Sequence, residues 1–223
     1  MLQFTQYIDE GLYDQARRKA IFLAGGPGSG KSYVAQRTTQ GLGFKHVNSD
    51  EMFEKELDRA GLAKTPENIY SDQGQKIRER AKELTAQREK IYREGRLGMI
   101  IDGTGKDPEK IQAHSERLRK LGYDTHMVFV NTSLDTALAR NRQRDRTLPD
   151  THVADMHAQV QNNLGHFQQH FGSNNMHIVD NDYADEHALF QVHKKIRAIA
   201  SAPVRNPIGK KEDIKLKAGL SQK

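Results

Sequence analysis

The chain has 223 residues, of which 29% are charged, a formal net charge of +6 and no cysteine. This length suits one α/β domain with appendages, and the lack of cysteine excludes disulfides, thiolate metal sites and thiol catalysis. No apolar run approaches the ~18 residues of a membrane span, and the positive charge favours anionic partners such as nucleotides or nucleic acid, unless it reflects only the cations of a phosphate site.

Residues 1–19 are predicted to be a helical appendage. Over 4–18, apolar residues recur at the three- or four-residue spacing of an amphipathic helix, at Tyr7, Ile8, Leu12 and Ala16. Acidic residues come early in this segment, and no basic-then-apolar pattern precedes them. We therefore expect no secretory signal, and we expect the protein to act in the cytoplasm.

A glycine-rich turn follows the first predicted strand, 20–24. It fits the pattern G-x-x-x-x-G-K-[ST] between a strand and a helix, with the sequence Gly25-Gly26-Pro27-Gly28-Ser29-Gly30-Lys31-Ser32. Glycines let backbone N–H groups curl around an anion, and a helix N-terminus adds partial positive charge. We expect Lys31 to reach the β- and γ-phosphates of ATP, the Ser32 hydroxyl to ligate Mg²⁺, and Tyr33 and the loop to contact the nucleotide.

Strands alternate with helices along the rest of the chain. Further strands are predicted at 44–48, 97–101, 125–130 and 176–179, and helices at 32–40, 50–60, 75–94, 107–121, 133–140, 153–171 and 186–200. A mobile connection is expected over 61–74. The alternation predicts an α/β fold, a doubly wound parallel sheet with right-handed crossovers, over 20–202. Residues 203–223, basic and poor in apolar side chains, are predicted to be a disordered tail.

Two aspartates follow predicted strands at the edge where Lys31 is expected. In such sheets ligands bind outside the carboxyl ends of the strands. Asp50 could act as the base that takes a proton from an acceptor hydroxyl, or it could cap the helix that follows. Asp102 could hold a Mg²⁺-bound water or orient the acceptor, or it could simply occupy a turn before Gly103. The residue types alone leave both pairs of alternatives open.

An arginine cluster occupies alternate positions near the end of the helix predicted at 133–140, at Arg140, Arg142, Arg144 and Arg146. Arginines that close over transferring phosphates can accelerate phosphoryl transfer by ~10³–10⁵. The alternative is a solvated run of charge in which Asp145 is the nearby counterion. The first interpretation predicts a lid over about 140–150 that closes over the phosphates, with Arg140 in contact with the nucleotide.

Four segments, in this order and at these separations, resemble the P-loop kinases of the polynucleotide-kinase and zeta-toxin group. They are GGPGSGKS (25–32), NSDEMF (48–53), IIDGT (100–104) and RNRQRDRTLP (140–149). The resemblance covers about 20–172 and is to small phage-type members of the group. It implies a five-stranded sheet in the order 2-3-1-4-5, ATP and Mg²⁺ as cofactors, and action in a host cytoplasm.

The same resemblance implies roles for individual residues. Lys31 and Ser32 keep their P-loop roles, Asp50 matches the general base, Asp102 the third-strand aspartate of the acceptor site, and Arg144 the lid arginine. One position departs from the group. Polynucleotide kinases carry an arginine three residues after the base, where it contacts a substrate phosphate, and Phe53 stands there in this chain. A 5′-OH nucleic-acid end is therefore less expected as the acceptor.

Three functional hypotheses follow from these motifs. The first is an ATP-dependent kinase acting on a hydroxyl of a nucleoside, nucleotide, nucleic acid or nucleotide-sugar, with the arginine-rich lid indicating an acceptor that carries phosphate of its own. The second is a P-loop ATPase or NTP-sensing module that acts on a nucleic-acid or protein partner. The third is a zeta-toxin-like UDP-sugar kinase. The sequence predicts no membrane association and does not define an oligomeric state.

Overall fold

The computed structural model describes residues 13–143, 147–182 and 186–220. Five strands form one parallel sheet: β1 (Lys19–Ala24), β2 (Lys45–Val47), β3 (Met99–Asp102), β4 (Asp124–Asn131) and β5 (Met176–Asp180). Their order across the sheet is β2-β3-β1-β4-β5. The predicted fold class and strand order are therefore confirmed, and the glycine-rich turn follows the central strand.

Ten helices lie in the described ranges, and none of them is both long and apolar enough to cross a membrane. They are α1 (Lys31–Thr39), α2 (Ser49–Arg59), α3 (Pro66–Tyr70), α4 (Asp72–Glu94), α5 (Pro108–Lys120), α6 (Leu134–Arg142), α7 (Asp150–Asn162), α8 (Leu164–Phe171), α9 (Glu186–Ser201) and α10 (Pro207–Leu220). Most lie within a few residues of the helices predicted from sequence, and the exceptions follow below.

The two faces of the sheet bury separate apolar clusters. Successive side chains of a strand point to opposite faces, so Ile21 and Leu23 enter one cluster while Ala20, Phe22 and Ala24 enter the other. Helices α1 and α9 contribute to the first cluster, and α5 and α8 contribute to the second. Burial on both faces explains why β1 is a continuous apolar run rather than an alternating one.

Helices α2, α3 and α4 form a layer with an apolar core of its own. Its buried side chains are Met52, Phe53, Leu57, Ile69 and Ala81. The expectation of a mobile connection over 61–74 is wrong because this segment contains α3. Thr65 caps that helix by accepting from the Asn68 N–H, a proline occupies its first turn, and Ile69 anchors it.

The basic tail is also helical over 207–220, so the prediction of disorder fails there. The Asp213 carboxylate accepts from Arg17 Nη2 and Arg18 Nε, each at 2.9 Å, and the Arg18 side chain is fully buried. Arg18 Nη2 also donates to Glu212 Oε2 at 2.5 Å. Helix α10, which has little apolar surface, is thus held in place by ion pairs with Arg17 and Arg18, which are distant from it in sequence.

Two further predictions about helices need correction. The predicted N-terminal helix, 4–18, is not helical over 13–18, where Arg18 adopts a left-handed φ of 56°, and residues 1–12 lie outside the described residues. The single helix predicted over 153–171 is divided into α7 and α8. The division falls at Asn163, whose amide donates to the carbonyls of Gly105 and Lys106, both at 2.9 Å.

Candidate active site

The glycine-rich loop has the backbone of an anion cradle. Gly28 and Gly30 adopt φ of 77° and 80°, which glycine reaches without strain. Gly30 caps α1 and has no side chain to satisfy the N–H groups of the first helical turn, which also contains no acidic residue. These N–H groups and the helix dipole are therefore available to phosphate oxygens. The predicted phosphate loop thus has the required local geometry.

The glycine-rich loop packs closely against α6 and against the residue that follows β5. A Cβ atom on Gly28 would lie 2.2 Å from the Ala137 carbonyl oxygen of α6, and one on Gly30 would lie 2.4 Å from Asn181 Nδ2. The buried Asn181, next after β5, donates from Nδ2 to the Ser29 carbonyl at 2.7 Å. Sequence reasoning missed Asn181 because no local signal brings a residue after β5 to the loop after β1.

Arg140, predicted to contact the nucleotide, lies beside this loop. Its Nη2 donates to the Asn181 carbonyl at 2.7 Å, while its Nη1 is buried without a hydrogen-bond partner among the described residues. Tyr33 is 48% exposed, and the Arg37 guanidinium lies 5.6 Å from the centre of its ring. Their contacts with nucleotide stay predictions.

Lys31 and Asp102 face each other at the carboxyl ends of adjacent strands. Lys31 Nζ lies 3.9 Å from Asp102 Oδ1, and both side chains are about 15% exposed. Burial raises the pKa of the Asp102 carboxyl, the Lys31 ammonium opposes that shift, and the carboxylate of Asp50 adds to it. Asp102 therefore lies beside Lys31 of the predicted phosphate loop, and the charge of Asp50 also affects it.

Asp50 lies in the first turn of α2, but it is not the residue that caps this helix. The cap is Asn48, whose Oδ1 accepts from the N–H groups of Asp50 at 2.9 Å and Glu51 at 3.1 Å. The other end of the same amide donates to Asp102 Oδ2 at 2.8 Å. The capping alternative for Asp50 is wrong, and its exposed carboxylate has no hydrogen-bond partner among the described residues. Asn48 is a site residue that the sequence analysis missed.

These residues meet in one cleft of about 1690 Å³ at the carboxyl edge of the sheet. Lys31, Ser32, Asp50 and Asp102 all line it. Oxygen ligands are the ones that Mg²⁺ prefers, and the Ser32 hydroxyl and the Asp102 carboxylate offer them beside the phosphate loop. The residues present therefore fit a Mg²⁺–nucleotide complex.

The predicted lid is only partly within the described residues. Arg144 and Arg146 lie outside them, so the role of Arg144 stays a prediction. Gln143 and Leu148, on either side of that gap, line the cleft. Arg142 instead donates to Asp150 Oδ2 at 2.5 Å on the exposed surface.

Comparison with known proteins agrees with this geometry. The family model for zeta toxin matches residues 6–193. Adenylate kinase isoenzyme 5 from Bos taurus is 31% identical over 139 residues, which are 61% of this chain and 24% of that protein. Adenylate kinase isoenzyme 1 from Homo sapiens is 24% identical over 132 residues, 59% of this chain and 66% of that protein. The chain thus spans less than two thirds of either relative.

Solved structures share the fold at low identity. Shikimate kinase from Bacteroides thetaiotaomicron superposes with a TM-score of 0.52 and 15% identity, covering 82% of this chain and 99% of that one. The AvrRxo1-ORF1:-ORF2 complex gives a TM-score of 0.58 and 17% identity, covering 86% of this chain and 68% of that one. The family match covers most of the sequence, and the chain therefore belongs to the zeta toxin family and has a P-loop kinase fold.

Proposed function

We propose that this protein is an ATP-dependent kinase that transfers the γ-phosphate of ATP to a hydroxyl group, with Asp50 as the general base. The observation that carries the proposal is the cleft in which the phosphate loop and Asp50 both lie. Asn48 performs the capping that Asp50 would otherwise perform. The Asp50 carboxylate, which lines this cleft and has no hydrogen-bond partner among the described residues, is therefore available to an acceptor hydroxyl.

The reaction requires two events at this cleft. The acceptor oxygen forms a bond to the γ-phosphorus while the bond to the β,γ-bridging oxygen breaks, and the proton of the acceptor hydroxyl passes to the Asp50 carboxylate. Lys31 and the loop N–H groups hold the β- and γ-phosphates as charge moves to the departing ADP. Mg²⁺, held through Ser32 with Asp102 nearby, would neutralise phosphate charge.

The acceptor that we favour is a nucleotide or a nucleotide-sugar. Membership of the zeta toxin family and similarity to adenylate kinases support this class. Phe53, at the position where polynucleotide kinases carry a phosphate-binding arginine, is 1% exposed and belongs to the core of the α2–α4 layer. It offers no cation to a nucleic-acid end. A UDP-sugar is one specific member of the favoured class.

The test is acceptor-dependent ADP release. Purified protein is incubated with γ-labelled ATP, Mg²⁺ and, in separate reactions, nucleosides, nucleotides, oligonucleotides and UDP-sugars, and both ADP and labelled product are measured. The kinase proposal expects ADP release to rise sharply with one acceptor class and to match the labelled product in amount. Lys31→Ala should abolish both signals. Equal ADP release with and without every acceptor would instead indicate an ATPase and overturn the proposal.

A further inference from the structure

A side pocket of about 200 Å³ opens beside the main cleft, between the end of β2, the start of α2 and the second half of α4. Asn48 and Glu51, the residues that flank Ser49 and Asp50, line both the side pocket and the main cleft. Asp50 lines the main cleft alone. A molecule whose hydroxyl lies at Asp50 can therefore extend past Asn48 into the side pocket.

Positive charge exceeds negative charge in the lining of this pocket. Its charged or titratable lining residues are Lys55, Arg88, His46 and Glu51. Arg88 is exposed and has no ion-pair partner among the described residues. Lys55 Nζ lies 2.5 Å from Glu51 Oε1, with both side chains about half exposed. Such exposed pairs are weak, so Lys55 can exchange this partner for a ligand at little cost.

The chemistry of these side chains selects the ligand. A guanidinium and an ammonium on neighbouring helices favour an anion with several acceptor oxygens, since arginine binds phosphate through two parallel hydrogen bonds. The pocket is too small for a drug-sized molecule, for which ~300–1,000 Å³ is usual, but it can hold a phosphate group. No residue of the phosphate loop lines it, so its occupant belongs to the acceptor rather than to ATP.

We propose that this side pocket is an acceptor subsite in which Arg88 and Lys55 bind a phosphate group that the acceptor carries before the reaction. The inference rests on the proposed kinase function. In this proposal Arg88 of α4 and Lys55, two residues beyond Phe53 on α2, take the place of the phosphate-binding arginine that polynucleotide kinases carry at the Phe53 position. The substrate class is then a phosphorylated alcohol, with its free hydroxyl at Asp50 and its phosphate beyond Asn48.

The first experiment measures binding without catalysis. Protein labelled with ¹⁵N is saturated with Mg²⁺ and a non-hydrolysable ATP analogue to fill the phosphate loop, and inorganic phosphate is titrated while arginine Nε–Hε resonances are followed. The Arg88 resonance is identified as the one missing from the spectrum of Arg88→Gln, and we expect it to shift saturably as phosphate is added. Lys55→Gln should bind phosphate about tenfold more weakly than wild type. Lys90→Gln, an exposed change two residues further along α4, is the matched control and should leave the affinity unchanged.

A second experiment uses whichever acceptor the screen identifies. Arg88→Gln should raise the KM for a phosphorylated acceptor about tenfold while leaving the KM for ATP and the kcat at saturation unchanged, because the lost interaction is the same in the ground and transition states. The KM for the unphosphorylated form of the same acceptor should be equal in wild type and Arg88→Gln. An equal KM increase for both forms would overturn the subsite.

The two proposals can fail separately. If no acceptor is phosphorylated but phosphate shifts the Arg88 resonance, the kinase function is wrong and the anion site stands. If an acceptor is phosphorylated but phosphate leaves that resonance unmoved, or Lys55→Gln binds phosphate as tightly as wild type, the subsite is wrong and the kinase function stands.

Discussion

The two ends of the central sheet carry similar charges and use them in opposite ways. At the amino ends of β1 and β4, Lys19 Nζ lies 2.7 Å from Asp124 Oδ2, and both side chains are almost fully buried. At the carboxyl ends, Lys31 Nζ stays 3.9 Å from Asp102 Oδ1, beyond hydrogen-bond distance. Both ends therefore have a lysine and an aspartate on neighbouring strands or just beyond them. What distinguishes the candidate site is that Lys31 and Asp102 are not within hydrogen-bond distance of each other, whereas Lys19 and Asp124 are.

The amino end is also closed by a helix, whereas the carboxyl end is open. Helix α10 covers the amino end through Asp213, which accepts hydrogen bonds from both Arg17 and Arg18. Although burial opposes the shift, these two hydrogen bonds hold the pKa of Asp213 below its usual range. At the carboxyl end, burial instead raises the pKa of Asp102. One end stabilises the folded chain, and the other leaves the carboxylates of Asp50 and Asp102 at an open cleft.

The sharpest test of this comparison is Asp50→Asn at the open end. Loss of the base should reduce phosphoryl transfer about a thousandfold while the affinity for ATP stays nearly unchanged, because Asp50 acts on the acceptor. Labelled-product assays and nucleotide titrations measure the two quantities. Asp58→Asn, further along the same helix, is the matched control and should transfer phosphate normally. Normal transfer by Asp50→Asn would show that the base is assigned wrongly.

Asp213→Asn tests the closed end. It removes the less exposed of the two carboxylates that pair with the buried Arg18 guanidinium and leaves only that of Glu212, so the free energy of unfolding should fall by about 3 kcal/mol. Urea denaturation followed by circular dichroism measures this. Glu212→Gln removes the 43%-exposed partner of Arg18 and should cost less than ~1 kcal/mol. Transfer per folded molecule should not change in either variant, and a selective loss of kcat in Asp213→Asn would contradict the division of roles.

His126 makes the stability of the closed end depend on pH. Burial, with a contribution from Lys19, lowers its pKa from 6.5 to about 4. As the pH falls, His126 therefore binds a proton in the unfolded chain at a higher pH than it does in the folded chain. The contribution of neutral, buried His126 to the free energy of unfolding is fully present above about pH 6.5 and is lost as the pH falls towards 4. The total loss amounts to about 3 kcal/mol.

The variant His126→Gln should flatten this part of the stability profile. Urea midpoints are measured between pH 7.5 and 4 for wild type and variant. The quantity compared is the slope of the midpoint against pH, not its absolute value. His166→Gln, at an exposed position of α8, should keep the slope of the wild type. An unchanged slope in His126→Gln would mean that other groups cause the acid instability.

The smallest expected effect belongs to Asn48→Ser. Serine keeps the cap of α2, but its shorter side chain cannot also donate to Asp102. We expect kcat to fall about tenfold through loss of positioning, with the KM for ATP and the urea midpoint almost unchanged. Thr65→Ser, a cap exchange at α3, should leave kcat as it is. If Asn48→Ser lowers only stability, the Asn48–Asp102 bond is structural.

Sequence reasoning succeeded where a local pattern determines local structure. The glycine-rich turn needs particular residue types in a fixed order, and the structure places it between β1 and α1 as predicted. The helix predicted over 107–121 begins where expected, with Asp107 as its cap, whose Oδ1 accepts from the Lys110 N–H at 3.0 Å. Strands with continuous apolar runs were located to within two residues of their bounds.

Long-range partners account for what the sequence could not predict. The lysine-rich segment of α10 looks disordered by composition, because its stabilising contact, Arg18 with Asp213, joins residues far apart in the chain. Asn48 and Asn181 reveal their roles only once strands from different parts of the sequence lie side by side. Amide side chains suit caps, turns and site positions equally, so composition does not distinguish among these uses.

The independent core of the α2–α4 layer has a consequence for how the two substrates meet. Asp50 belongs to that layer, whereas Lys31 begins α1 and Asp102 ends β3. The layer is joined to the rest of the domain by the Glu89–His114 contact at 2.8 Å, by Tyr92, which packs against the second apolar cluster, and by the Asn48–Asp102 hydrogen bond at the cleft. The distance between the phosphate donor and the acceptor therefore depends on how this layer docks onto the sheet, and Asn48 is the docking residue next to Asp50.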